Sequence, residues 1–368
     1  MYLDNAATTP LLPQVKDAII DYLQYFGNPS SHHKEGFIVR EKIENVRNQI
    51  ADIFCGNSRN VLFTSSGSAS NNLVIHGLND KYMFYYSPTC HKSMRLSCES
   101  KPYHKKILVD KNGLINIEYL ENELKKPKIR KPVICYEMAN SELGVYQNSH
   151  KIYDLVHKYG GLVVADLTAF LPHIPFYYPE DKADYYTFSA HKLGALKGVG
   201  VVYCNANEHL KPLIYGSQED GLFGGTENAI GIISLGAALD NWDLSIQTSF
   251  NKLSHYFMDL VKEKISDCYF VADNCPCKIP EIMTICFKNV KGEELVELLN
   301  EKGYYISTGS ACNSGSLTLS PTLQAIKIVD NDIPCCVRIS FSSFETKEDI
   351  QQFVDVFESC VNTLRFFD

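Results

Sequence analysis

No stretch of this 368-residue chain approaches the roughly 18 uncharged apolar residues of a membrane-spanning helix. Its opening, MYLDNAATTP, has neither a basic n-region nor an apolar h-region, so no secretory signal is expected. Basic residues are the minority: 35 Lys and Arg stand against 43 Asp and Glu, a net charge of −8. The densest basic run, KKPKIRK at 125–131, is interrupted by Pro127, followed by Pro132 and free of aromatic residues. It reads as a solvated loop, and direct nucleic-acid binding is not expected. A C-x2-C pair of pairs is missing too, so no metal site is expected. Cysteine itself is not scarce. The chain has 13, an odd number in a long sequence, which argues against a secreted disulfide framework. A reducing cytoplasm keeps such thiols free, and most are expected to pack as small core hydrophobes. Internal repeats are lacking, and so is low complexity, apart from a small-residue loop around Cys312.

What is present is an ordinary globular composition, 45% hydrophobic and 21% charged, long enough for one large and one smaller domain. Residues 36–54 place Ile38, Ile43, Val46, Ile50 and Ile53 at helical spacing. Apolar runs at 61–66, 133–140, 162–168, 185–190 and 200–204 read as buried strands, with helices at 68–78 and 148–160 between them. That alternation predicts a mostly parallel α/β sheet covered on both faces. From about residue 241 the rhythm changes to a helix (about 245–266), a strand (282–287), a helix (292–302), a Ser/Gly-rich loop (307–318), a strand (337–341) and a last helix (346–365). The expected domains are a large one over 15–240 and a smaller α+β one from 1–14 and 241–368.

Several segments could carry chemistry. SAHK, Ser189 to Lys192, follows a strand end, where ligands of open α/β sheets sit. A lysine amine there can form a Schiff base with an aldehyde cofactor such as pyridoxal 5'-phosphate (PLP), with Ser189 and His191 donating to a phosphate. A surface lysine in a turn is the other reading. Asp166 ends the apolar strand LVVAD, where a carboxylate is costly unless paired; it would suit a protonated ring nitrogen, or simply cap the next element. FTSSGSASNN (63–72) is a strand, a Ser/Gly turn and a helix start. Gly67 and Ser68 there could hold a phosphate, although Ser is also a common N-cap. His91 follows a strand-like run and could stack on a ring or relay protons, or be structural. GSACNSGS (309–316) sets Cys312 among small polar residues, as an exposed nucleophile requires; a buried turn cysteine is the alternative. Arg338, in VRISF, could clamp a carboxylate with two bonds or be a surface arginine.

Taken in this order, the motifs resemble the cysteine desulfurases of the NifS/IscS type, group I, in the class V branch of fold-type-I PLP enzymes. YLDNAATTP (2–10), GNPSSHHKEG (27–36), FTSSGSASNN, ANSELGVYQ (139–147), LVVADLT, SAHK with LKGVG, FGGTEN (223–228), STGSACNSGS and VRISF carry the likeness nearly end to end. The resemblance implies an α/β transferase with a large, mostly parallel seven-stranded sheet domain and a smaller α+β domain bearing the Cys312 loop. It implies PLP as cofactor, with Lys192 as the Schiff-base lysine, Asp166 at the ring nitrogen and His91 stacked over the ring. Gly67, Ser68, Ser189 and His191 would hold the phosphate, with Thr226 from a second subunit of a homodimer. Ser141 would touch cofactor and substrate, and Asn140 and Arg338 the substrate L-cysteine. Cys312 would take the sulfur as a persulfide and pass it to an acceptor protein, leaving L-alanine, in a cytoplasmic setting.

The chain departs from that pattern at marked places. Ser68–Ala69 replaces Thr-Glu, and Ser141 replaces the second asparagine. Ala169 stands where a glutamine would bond the cofactor's phenolic oxygen, Phe223 replaces an arginine, and Cys90 replaces the Glu before the stacking histidine. These changes keep two other readings in view: a selenocysteine lyase or other C–S lyase, and a weakened, partner-dependent sulfur donor.

Overall fold

The computed structural model describes residues 1–127, 129–178, 180–206, 208–242, 247–308, 319–342 and 345–367. The strands are β1 Val61–Thr64, β2 Tyr82–Tyr86, β3 His104–Lys106, β4 Lys131–Glu137, β5 Ala139–Asn140, β6 Val145–Tyr146, β7 Leu162–Asp166, β8 Tyr185–Ser189, β9 Gly200–Cys204, β10 Cys268–Phe270, β11 Ile282–Phe287, β12 Ser307–Thr308 and β13 Cys336–Ser340. The helices are α1 Pro13–Tyr22, α2 Lys34–Ile53, α3 Gly67–Gly77, α4 Lys92–Glu99, α5 Ile117–Lys125, α6 Ser149–Lys158, α7 Ala229–Asp240, α8 Gln247–Lys264, α9 Gly292–Glu301, α10 Pro321–Ala325 and α11 Lys347–Phe367.

Among the described residues, seven strands form the main sheet in the order β1-β9-β8-β7-β4-β2-β3. β3, β2, β4, β7 and β8 run parallel; β9 is antiparallel to both β8 and β1. The mostly parallel seven-stranded α/β sheet read from the sequence is therefore the observed one. β7 and β8 are apolar on both sides because helices cover both faces. α2 closes one of them through Val39, Ile43, Val46 and Ile50, each under 5% exposed. The stripe opens at Val39 rather than Ile38, because 39, 43, 46 and 50 lie on one face at 3.6 residues per turn, whereas Ile38 is only half-buried.

The second sheet is antiparallel, in the order β10-β11-β13-β12. α8, α9 and α11 cover it through a core that includes Phe257, Phe353, Phe357, Leu295 and Leu299. The first residues of the chain join this sheet: Tyr2 bridges Tyr305, Asp4 bridges Ser340, and Leu3 is fully buried in the same core. One sequence-based expectation is overturned here. Cys286 and Cys336 are not free thiols but a disulfide. They face each other in register across β11 and β13, with Cα atoms 4.0 Å apart. A separation of 50 residues hides that pairing in the sequence, since only strand register brings the two side chains together.

Candidate active site

Three adjacent parallel strands deliver their last residues to one edge of the sheet: Glu137 from β4, Asp166 from β7 and Ser189 from β8. Directly after β8 the chain turns through one 3-10 turn, Ala190–Leu193, which carries Lys192. Gly194 ends it at φ +82°, and a Cβ there would sit 2.6 Å from Leu12 Cγ. Only glycine accepts both that backbone angle and that contact. Burial and the nearby Arg338 guanidinium hold the Lys192 ammonium below its usual range, against the pull of Glu137, Asp166 and Asp4. A lysine so placed is readily available as the neutral amine, which is the nucleophilic form.

Asp166 is 3% exposed and well supplied with donors. Asn71 Nδ2 reaches Oδ2 at 2.7 Å, and the Thr168 N–H reaches Oδ1 at 2.9 Å. Asn71 is the hub of a longer chain. Its Oδ1 accepts from Thr187 Oγ1 at 2.6 Å, and its second amide hydrogen goes to Ser93 Oγ at 3.1 Å. Ser93 Oγ lies 2.8 Å from His91 Nδ1, and the Ser93 N–H donates to the same nitrogen at 3.2 Å. Nδ1 is thus the accepting nitrogen, and Nε2 carries the hydrogen. Burial is the main reason that the His91 pKa falls below its ordinary value, so the ring is neutral at neutral pH. His91 also N-caps α4, which fixes its backbone beside the site.

An anion cradle lies next to Lys192. α3 opens at Gly67, and Ser66 caps it by accepting the Ala69 N–H at 3.1 Å. The N–H groups of Gly67 and Ser68, in the first turn, have no carbonyl within the helix, and Ser68 is exposed. A Cβ on Gly67 would come within 3.1 Å of Ser189 Cβ, so the missing side chain leaves the space between α3 and Ser189 open. His191 is held by the N-terminal segment: Nδ1 lies 2.9 Å from Thr8 Oγ1, and Thr9 Oγ1 donates to the His191 carbonyl at 2.9 Å. Burial, with Lys192 and Lys197 nearby, lowers its pKa to about 4. Its imidazole is neutral and serves by hydrogen bonding rather than by charge.

Arg338 enters from β13. Its Nη2 pairs with Asp4 Oδ1 at 2.5 Å, and Nη1 donates to the Ser141 carbonyl at 3.2 Å. Its Nε is buried without a partner among the described residues. An unpaired guanidinium N–H is costly, and a carboxylate ligand would relieve that cost. We expect Arg338→Lys to raise the KM for an amino-acid substrate by about 10- to 100-fold, since a charge-assisted bond contributes ~1.5–3 kcal/mol. Steady-state kinetics checks this; an unchanged KM would remove Arg338 from the substrate site.

Asn140 does not have the free amide that a ligand contact needs. Nδ2 donates to the Thr89 carbonyl at 2.7 Å and to Glu137 Oε2 at 3.1 Å. Its Oδ1 accepts from the N–H groups of Glu142 and Leu143. The oxygen is used to build the turn between β5 and β6, and the two hydrogens tie that turn to Thr89 and Glu137. Ser141 presents its carbonyl to Arg338. Ala169 is buried and leaves no polar group at its position, and Thr226 is exposed beyond Phe223.

Cys312 lies outside the described residues. The chain leading to its segment is β12, where Ser307 pairs with Arg338 and Thr308 with Val337. Beyond the segment, Ser320 N-caps α10 and donates to Glu142 Oε2 at 2.9 Å. Sequence reading missed Asp4, Thr8, Asn71, Ser93 and Glu137. The signals were faint: an Asn four residues after Gly67 on α3, and a carboxylate ending an apolar strand at Glu137, the same signature that picked out Asp166.

An amine, a buried carboxylate, a neutral imidazole, an anion cradle and a guanidinium with a spare N–H are thus brought together around Lys192. The model of the family described as Aminotransferase class-V matches residues 1–353. The protein "Cysteine desulfurase IscS" of Dictyoglomus turgidum is 33% identical, over 99% of this chain and 95% of its own. The structure of a NifS-like protein from Rickettsia africae superposes with a TM-score of 0.88 at 29% identity, covering 98% of this chain and 99% of that one. A structure described as SspA in complex with cysteine gives a TM-score of 0.81 at 26% identity, covering 94% and 99% respectively.

Proposed function

The chain belongs to the class-V aminotransferase family, and on that premise we propose that it works as a PLP-dependent cysteine desulfurase, converting L-cysteine to L-alanine and transferring the sulfur. Full-length similarity to relatives named cysteine desulfurase favours this reading over the lyase alternatives. The observation in the fold that carries it is the meeting of Lys192 and Asp166, from the edge of the main sheet, with an Arg338 of the second sheet that has a spare Nε.

The residues fit the cofactor. Lys192 would bind it covalently, Asp166 would pair with its ring nitrogen and His91 would lie against its face. The Gly67 and Ser68 N–H groups, Ser68, Ser189 and His191 would hold its phosphate, joined by Thr226 of a second copy in a homodimer. Bound PLP supplies an electron-withdrawing ring that stabilises negative charge at the substrate Cα.

The protein's own groups do the rest. Arg338 binds the cysteine carboxylate through Nε, with Asp4 and the Ser141 carbonyl steadying the guanidinium. Lys192 Nζ would hold and move the proton at the substrate Cα. The Cys312 thiolate attacks the substrate Sγ; the Cβ–Sγ bond breaks with its electron pair left on the carbon side, Cβ gains a proton so that the fragment leaves as alanine, and Cys312 keeps the sulfur as a persulfide. Cys312 follows Ser307, which pairs with Arg338, by five positions in the chain. The persulfide then passes to an acceptor protein. No helix among the described residues is long and apolar enough to cross a membrane, and we place the reaction in the cytoplasm. We take 15–240 as the cofactor domain and 1–14 with 241–368 as the domain that brings the sulfur-accepting loop.

The test is to incubate PLP-loaded protein with L-cysteine and a thiol reductant, and to measure alanine and sulfide together. Equal amounts of both support the reading. Pyruvate and ammonia in place of alanine would assign the chain to C–S lyase chemistry.

A further inference from the structure

Glu137 is the one carboxyl at this strand edge without an assigned task. In parallel strands, register partners lie about 4.8 Å apart and project to the same face. Glu137 is the register partner of Asp166, so two carboxyls end up side by side at the floor of the site. Two like charges at that spacing are unfavourable unless one of them is neutralised.

The surrounding groups decide which carboxyl takes the proton. Asp166 accepts from Asn71 at 2.7 Å and from the Thr168 N–H at 2.9 Å, so each of its oxygens meets a short N–H bond that favours the ionised form. Glu137 accepts from Asn140 Nδ2 at 3.1 Å, an amide whose shorter bond, 2.7 Å, goes to the Thr89 carbonyl. It also receives the backbone N–H of His91. Its side chain is half-buried. The groups facing it are Asp166 from β7, Lys192 from the turn after β8, His91 at the start of α4, and Cys90 beside His91. Arg338 is turned instead to Asp4 and Ser141.

We infer that Glu137 and Asp166 form a one-proton carboxyl pair with the proton on Glu137, and that Glu137 is a positioning residue, tying the His91 N-cap to the Asn140 turn. The same surroundings push the Glu137 carboxyl up to about 8, by burial first and the Asp166 charge second, with Lys192 opposing. Below that value Glu137 is neutral; above it Glu137 adds a negative charge to the floor. The proton also gives the floor a neutral hydrogen-bond donor, which the Ala169 position lacks. The pair itself rests only on the pocket's geometry; its consequence for turnover rests on the cofactor reading above.

Two measurements test it. In cofactor-free protein, infrared difference spectroscopy should show a protonated-carboxyl band at neutral pH that disappears with a midpoint of about 8 and is absent in Glu137→Gln. In PLP-loaded protein, the visible spectrum and kcat/KM should change over the same pH range in the wild type and be flat there in Glu137→Gln. Glu137→Asp, which keeps the titrating group, should restore a pH-dependent step. If the wild type has no band titrating between neutral and alkaline pH, or if Glu137→Gln keeps the wild-type band, the pair does not exist. If the band behaves as stated but the protein takes up no PLP, the pair stands and the proposed function fails. A pH profile unchanged in Glu137→Gln would overturn the link between the pair and the site.

Discussion

Replacing Lys192 with alanine is expected to lower kcat at least about a thousandfold, because in the proposed reaction one side chain would supply both the covalent attachment of the cofactor and the group that moves the Cα proton. The fold should survive. Lys192 lies in a one-turn segment fixed by neighbours that the substitution leaves in place: Thr9 on the His191 carbonyl, the Leu12 N–H on the Gly194 carbonyl and the Ala190 N–H on the Val199 carbonyl. Removing a buried ammonium also removes a desolvated charge near Arg338, so folding stability should not fall. The discriminating measurement is borohydride reduction followed by peptide mass analysis. The wild type should retain the cofactor on the peptide containing Lys192, and Lys192→Ala should retain none. Cofactor fixed to any other lysine, or turnover above about a tenth of wild type, would displace Lys192 from its role.

The second large effect is expected at Cys312. Cys312→Ser should cut alanine formation from cysteine at least about a hundredfold, because a hydroxyl near its ordinary pKa cannot replace a thiolate attacking sulfur. The cofactor spectrum should be unchanged, because none of the residues assigned to the cofactor lies on that segment. The two variants therefore separate two halves of one reaction: Lys192→Ala loses the bound chromophore, and Cys312→Ser keeps it. Mass spectrometry after a single turnover should find one added sulfur on the Cys312 peptide of the wild type. An added sulfur on Cys277 or Cys335 instead, with Cys312→Ser fully active, would move the acceptor to another thiol.

Much of the site could be read from the chain because its chemistry is local. Gly67, Ser189, His191 and Lys192 each occur in a short run whose shape the run itself dictates: strand, tight turn, helix start. Asp166 stood out because a carboxylate ending four apolar residues needs a partner. Glu137 ends a strand of the same kind, and went unnoticed because its neighbour is met only through register: β4 and β7 are separated by a hairpin and α6. Asn140 fared in the opposite way. Its position implied a ligand contact, yet its amide is fully used by the protein itself, its oxygen within its own turn and its hydrogens on Thr89 and Glu137. The two free thiols expected at Cys286 and Cys336 are a disulfide for the same reason that Glu137 was missed, since adjacency across strands is not written along the chain.

The sequence by itself determined the alternation of buried strands and covering helices, and the identity of the residues able to act as amine, carboxylate, imidazole, guanidinium and thiol. Hydrophobic period and turn chemistry act over a few residues, so those properties are readable one segment at a time. The tertiary structure alone decided which of these groups meet. It set Asp4 against Arg338 across 334 positions, ran Asn71 as a hub from Asp166 to His91, brought Thr8 onto His191 and put Glu137 beside Asp166. Those pairings come from sheet order and strand register, which are fixed by how whole faces pack against one another.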